Sequence, residues 1–261
     1  FNEPLNNWDV SNVTNMHAMF DNAYVFNQPL DNWDVGNVTE MSEMFSSMES
    51  LAFNQPIGEW DVSNVTNMRY MFSSAIFFNQ DLSSWNVSKV TNMEAIFGDT
   101  ESYNQPIENW NVSNVTDMNS MFRGAKSFNQ PIGNWDVSNV TSMINMFYDA
   151  KAFNQPLKDW DVSEVTSMYE MFEGATSFKQ DINNWSINEM VSLMDSSLND
   201  FMQFLEENEE EEKVELSINT SNIPESPIKF DNLDAETKQR VKDQTLFANT
   251  DETINNLIET F

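Results

Sequence analysis

Carboxylates and hydroxyls recur along this chain at one fixed spacing. Asp9, Asp34, Asp61, Asp136 and Asp161 each follow a tryptophan, and Asn86, Asn111 and Ser186 hold the same place in the other units. Two residues further on stand Ser11, Gly36, Ser63, Ser88, Ser113, Ser138 and Ser163. Period-two logic points both rows away from a core. A regular row of oxygens is suited to a hard cation, a mineral lattice or a glycan. A calcium ion takes about six to eight oxygens. This row offers one carboxylate per unit and is interrupted at Asn86 and Asn111. Carboxylates about 4.8 Å apart repel by only about 0.9 kcal/mol in water, so the row needs no counterion to exist. Three uses stay open: a structural ladder or turn-bonding Asp, loose divalent or lattice binding, and a dedicated calcium site. Asp9, Asp34, Asp61, Asp136, Asp161, Ser63 and Ser138 form the candidate binding face.

Other chemistry is scarce. The only histidine, His17, occupies a variable position without a recurring acidic partner, which argues against a nucleophile–base pair. Six glycines contain no phosphate-binding loop. Carboxylate pairs are abundant, but abundance in an acidic chain is no evidence for glycosidase geometry. The expectation is a protein that is not an enzyme and uses no cofactor.

The elements that position these rows belong to a repeat. Trp8, Trp33, Trp60, Trp85, Trp110, Trp135, Trp160 and Trp185 are 25 residues apart, except for one interval of 27. The extra pair lies in SSMESLAF, 46–53, which therefore reads as a loop. A period of this length means an array in which each unit buries its apolar face against its neighbours. Within a unit, Leu30, Trp33 and Val35 follow L-x-x-W-x-V, the spacing of a leucine-rich-repeat strand. Met41, Met44 and Phe45 follow at i, i+3, i+4, the pattern of a short helix with Thr39 at its N-cap. The spacing thus predicts strand, turn, short helix and return. The methionines read as adaptable core filler. Asn2, Asn27, Asn54, Asn79, Asn104, Asn129 and Asn154 predict a hydrogen-bonded ladder that satisfies turn backbone. Asn-Val-Thr recurs at Asn12, Asn37, Asn64, Asn114 and Asn139 and reads as a turn that also spells a glycosylation sequon.

The unit also resembles the BspA-like surface-protein repeat family, leucine-rich-repeat relatives with the pattern W-[DN]-V-S-x-V-T-x-M-x-x-M-F-x-x-A-x-x-F-N-Q-P-L. The resemblance covers residues 1 to about 188. It implies a right-handed solenoid on an extracellular or surface-displayed protein. It also implies adhesion or host and matrix binding, and it brings no catalytic residues. The fold class expected is an α/β repeat, a leucine-rich-repeat-like right-handed solenoid with a C-terminal helical cap and tail.

The chain of 261 residues carries a net charge of −30 and no cysteine. Acidity argues against nucleic acid, whose phosphates would be repelled, and against anionic membrane surfaces. No apolar run approaches the roughly 18 residues of a membrane span. The absence of cysteine excludes a disulfide framework. Phe1 falls inside a repeat, so the chain reads as a mature product or a fragment.

The period ends near residue 188. The expected organisation is an eight-repeat solenoid over 1–188, a capping helix over 189–205, an acidic linker with a short strand over 206–230, and a two-helix tail over 231–261. The tail helices offer apolar faces for self-assembly or partner docking. The leading expectation is a structural or adhesive surface protein that binds a protein or glycan. Its variable positions, such as Arg69 and Tyr70 against Glu94 and Ala95, would carry specificity. The alternatives are a periodic binder of divalent ions, mineral or glycan, and a building block of a virion or cell envelope.

Overall fold

A computed structural model describes residues 1–186, which lie within the first of two compact units, Phe1–Glu209 and Glu210–Phe261. The expected capping helix, linker and tail helices fall outside the described residues. Inside them the repeat is a stack of rungs in register, one per tryptophan.

The expected alternation of strand and helix is not what the backbone does. Among the described residues there is no α-helix and no extended strand. Pairing is limited to isolated parallel bridges that run Asn15, Glu40, Asn67, Asn92, Asp117, Ser142, Ser167. The leucine-rich-repeat-like α/β fold is therefore corrected to a coil of turns.

The reason lies in where the backbone hydrogen bonds go. In and just after L-x-x-W-x-V, donors are used locally: Trp33 N–H reaches Leu30 C=O at 3.1 Å, and Val38 N–H reaches Val35 C=O at 2.9 Å. Trp33 and Val35 still point inward and Asp34 outward, so the period-two burial holds without a ladder. Side chains replace the missing bonds between rungs. The indole N–H of Trp33 donates to Leu5 C=O at 3.0 Å, and Asn37 Nδ2 donates to Ser11 C=O at 2.7 Å.

The Met-x-x-Met-Phe segment fails as a helix for a related reason. A stretch of about eight residues is too short to carry its own nucleation cost. Here alternate N–H groups leave the rung entirely: Met41, Glu43 and Phe45 donate to the carbonyls of Asn67, Arg69 and Met71 in the next rung. The intervening donors close tight turns, as Met44 N–H does on Met41 C=O at 3.3 Å. Each such turn needs a left-handed residue. Ala18, Glu43, Tyr70, Ala95, Ser120, Asn145 and Glu170 take φ of 49–59°. Asn22, Ser74, Asp99, Gly124, Asp149 and Gly174 repeat the device four residues later. A non-glycine residue there costs roughly 1–2 kcal/mol, offset by the rung-to-rung bonds it permits. Where glycine occupies the place it also yields space: a Cβ on Gly124 would lie 2.2 Å from Asp99 Oδ1.

Thr39 does not cap a helix. Its N–H and its Oγ1 both donate to Thr14 C=O, at 2.9 and 3.2 Å, and the pair recurs at Thr66, Thr91, Thr116, Thr141 and Thr166.

The core is a set of columns. Seven tryptophans from Trp33 to Trp185 are 3–6% exposed, whereas Trp8 in the first rung is 57% exposed. Two phenylalanine columns interlock, with Phe45 and Phe53 centroids 3.9 Å apart within a rung and Phe45 and Phe72 5.8 Å apart between rungs. The methionines of the repeat are buried apart from Met19 and the insertion residue Met48. Each large side chain so buried contributes about 1.5–3 kcal/mol. Much of that burial exists only against the neighbouring rung.

The Asn ladder forms as expected. Asn2, Asn27, Asn54, Asn79, Asn104 and Asn129 each use Oδ1 to accept the N–H of the next asparagine in the column. Asn154 does the same for Lys179. A glutamine amide from the next rung shares each acceptor, as Gln80 Nε2 does with Asn54 Oδ1 at 2.8 Å.

Candidate functional site

The Asp/Ser row runs along one exposed face. Asp9 Oδ1 accepts the N–H of Ser11 at 3.1 Å and its hydroxyl at 2.6 Å. Asp136 does the same with Ser138, at 3.2 and 2.6 Å. Asp61 accepts from the N–H of Ser63, Asp161 from that of Ser163, and Asp34 from that of Gly36. Asn86 and Asn111 use Oδ1 on Ser88 and Ser113 in the same way. Only an acceptor is needed, which explains why Asp and Asn interchange in this column. The serine hydroxyl and N–H hold the carboxyls of Asp9, Asp61 and Asp161 below the ordinary aspartate value. All seven candidate residues therefore lie on one face, but each aspartate turns toward its own turn. Among the described residues, no group of three or more His, Cys, Asp or Glu side chains converges as a metal site.

The sequon asparagines link rungs. Asn37, Asn64, Asn114 and Asn139 each donate Nδ2 to a carbonyl of the preceding rung at 2.7 Å.

A second polar column escaped the sequence reading. The residue between Thr and Met is Asn15, Glu40, Asn67, Asn92 and Asp117 in successive rungs. Each accepts, through its side chain, the N–H two residues on, at 2.7–3.1 Å. The signal was present in the sequence as a place restricted to Asn, Asp, Glu and Ser. Burial, and then the charge of Glu94, raise Asp117 above the ordinary aspartate value.

Beside this column lie the variable side chains His17, Ser42, Arg69, Glu94, Asn119, Ile144 and Tyr169. His17 is exposed, with Nδ1 2.8 Å from Ser42 Oγ. Arg69 Nε meets Glu94 Oε2 at 2.6 Å, Tyr70 donates its hydroxyl to Glu94 Oε1 at 2.9 Å, and the guanidinium lies 4.8 Å from the Tyr70 ring. Burial, and then the bond to Glu94, push the Tyr70 phenol above its ordinary value. The two variable positions singled out by sequence, 69–70 and 94–95, thus meet across adjacent rungs.

Rungs that repeat nearly the same core columns and differ mainly outside them define a repeat protein. The chain belongs to the family described as Mycoplasma protein of unknown function, DUF285, whose model matches residues 1–108 and 96–210. No curated protein and no solved structure matches it. Among the described residues no helix is long and apolar enough to cross a membrane.

Proposed function

We propose that this chain is a non-enzymatic repeat protein of the BspA-like kind, displayed at a surface and binding another macromolecule. One observation carries the reading. Core positions are held nearly constant from rung to rung, while the row from His17 to Tyr169, exposed or half-buried except at Ser42, changes chemistry at every step. Such a row, set on a rigid stack, is how a repeat protein acquires specificity without altering its fold. Divalent-ion, mineral or glycan binding through the Asp/Ser row has less support, because Oδ1 of each aspartate is already an acceptor within its turn. The envelope building-block reading rests on tail residues outside the described part.

Two measurements test the reading. Trypsin applied to intact cells carrying the native protein should cleave it. The purified chain should bind at least one member of an array of immobilised matrix proteins and glycans, and Arg69→Ser with Tyr169→Ser should weaken that binding at least tenfold. Protection of the protein on intact cells, together with a silent array, would end this proposal.

A further inference from the structure

The corner that follows the Met-x-x-Met-Phe segment carries an unusual group of exposed apolar side chains. Tyr24, Val25, Met48 and Phe77 are 43, 59, 92 and 57% exposed. They belong to three successive rungs, with Met48 in the two-residue insertion and Tyr24 C=O bonded to Ala52 N–H beside it. That insertion is held in place: Met48 N–H donates to Asn22 Oδ1 at 3.0 Å, Leu51 N–H to Ser74 C=O at 3.0 Å, and Ala52 N–H to Tyr24 C=O at 2.9 Å. Met48 is therefore presented by a hydrogen-bonded bend.

The repeat supplies its own control. The place held by Val25 and Phe77 is held by Ser102, Ser127 and Ser177 in later rungs. The place held by Tyr24 and Ile76 becomes Glu101, Lys126 and Lys151. The same backbone position accepts polar residues, so the fold does not require the apolar ones. Their exposure is confined to the first three rungs.

The charge around them has one sign. Residues 1–78 carry ten carboxylates and a single cation, Arg69, which is already paired with Glu94. Asp21 and Glu49, both exposed, lie in the same corner segments. An apolar surface with an anionic surround attracts cations beside an apolar anchor and repels acidic partners.

We propose that Tyr24, Val25, Met48 and Phe77 form a docking surface for a basic polypeptide segment with apolar anchors, contributed by another protein. Apolar anchors would cover the four side chains, and lysine or arginine would face Asp21 and Glu49. The surface is separate from the row containing Arg69 and holds whichever compartment the protein occupies.

The test titrates the full chain into a fluorescein-labelled 18-residue peptide of lysine and leucine at helical spacing. Two control peptides replace lysine by glutamate or leucine by serine. Saturable binding is expected for the lysine–leucine peptide, at least tenfold tighter than for either control. Val25→Ser with Phe77→Ser leaves the charge unchanged and uses the residue native to that column; it should weaken binding at least tenfold. Met48→Ser, at a 92% exposed site that no core contact depends on, should weaken it in the same direction if the double variant folds poorly. No binding, equal binding of the glutamate peptide, or undiminished binding by both variants would overturn the proposal. So would a wild-type dimer in sedimentation equilibrium that Val25→Ser with Phe77→Ser dissolves, which would assign the surface to a second copy.

Discussion

The indole N–H of Trp110 donates to the carbonyl of Leu82, 3.0 Å away in the preceding rung. The same bond recurs at each junction from Trp33 to Trp185. One side chain thus supplies both core volume and a rung-to-rung hydrogen bond. Trp110→Phe removes the donor and leaves a cavity, while Leu82 C=O keeps its bond from Trp85 N–H at 3.1 Å. The expected cost is about 2–4 kcal/mol in urea unfolding. Trp8→Phe, at an exposed position, should change stability by less than about 1 kcal/mol.

The Asn ladder makes a sharper chemical prediction. Asn54 Oδ1 accepts Asn79 N–H at 3.0 Å and Gln80 Nε2 at 2.8 Å. Asn54→Ala leaves two half-buried donors without that acceptor and should cost about 1–3 kcal/mol. Asn54→Asp keeps an acceptor at the same place and should cost less. Equilibrium unfolding of the two variants side by side separates loss of the bond from loss of volume.

Tyr103 replaces phenylalanine in a column otherwise held by Phe26, Phe53, Phe78, Phe128, Phe153 and Phe178. Its ring is fully buried, and among the described residues its hydroxyl has no hydrogen-bond partner. Burial holds the phenol well above its ordinary value. Tyr103→Phe should therefore stabilise the chain by about 1 kcal/mol, read as a rise in Tm.

Acid titration should separate two kinds of aspartate. Asp117 has its folded value raised above 3.8, so the folded state binds that proton more tightly than the unfolded chain. Its charge disfavours folding at neutral pH, and this penalty disappears as pH falls through the raised value toward 3.8. Asp117→Asn keeps an acceptor for Asn119 N–H, as Asn92 does for Glu94 in the previous rung. It should raise Tm at pH 7 and leave it unchanged below pH 3.8. Asp9, Asp61 and Asp161 have the opposite sign: their folded values lie below 3.8, and their contribution is lost as pH falls through those lower values. Asp61→Asn should flatten the acid limb below pH 3.8 while keeping the turn.

The amino-acid order alone determined the period, the inward columns, the Asn ladder and the tolerance of an insertion near Met48. These follow from burial and from acceptor chemistry, which repeat wherever the residue types repeat. Only the tertiary structure decided the backbone path. The i, i+3, i+4 spacing of Met41, Met44 and Phe45 fits one helix face, yet the same three side chains reach the core from a tight turn with Glu43 in the left-handed region. Apolar spacing records which side chains point inward. It does not record whether an N–H bonds four residues back or crosses to the next rung, and here the neighbouring rung offers alternate donors a carbonyl. The aspartates were legible as an outward row, but their orientation was not. Whether Asp61 reaches outward or folds back onto Ser63 is set by a turn geometry that only packing against adjacent rungs fixes.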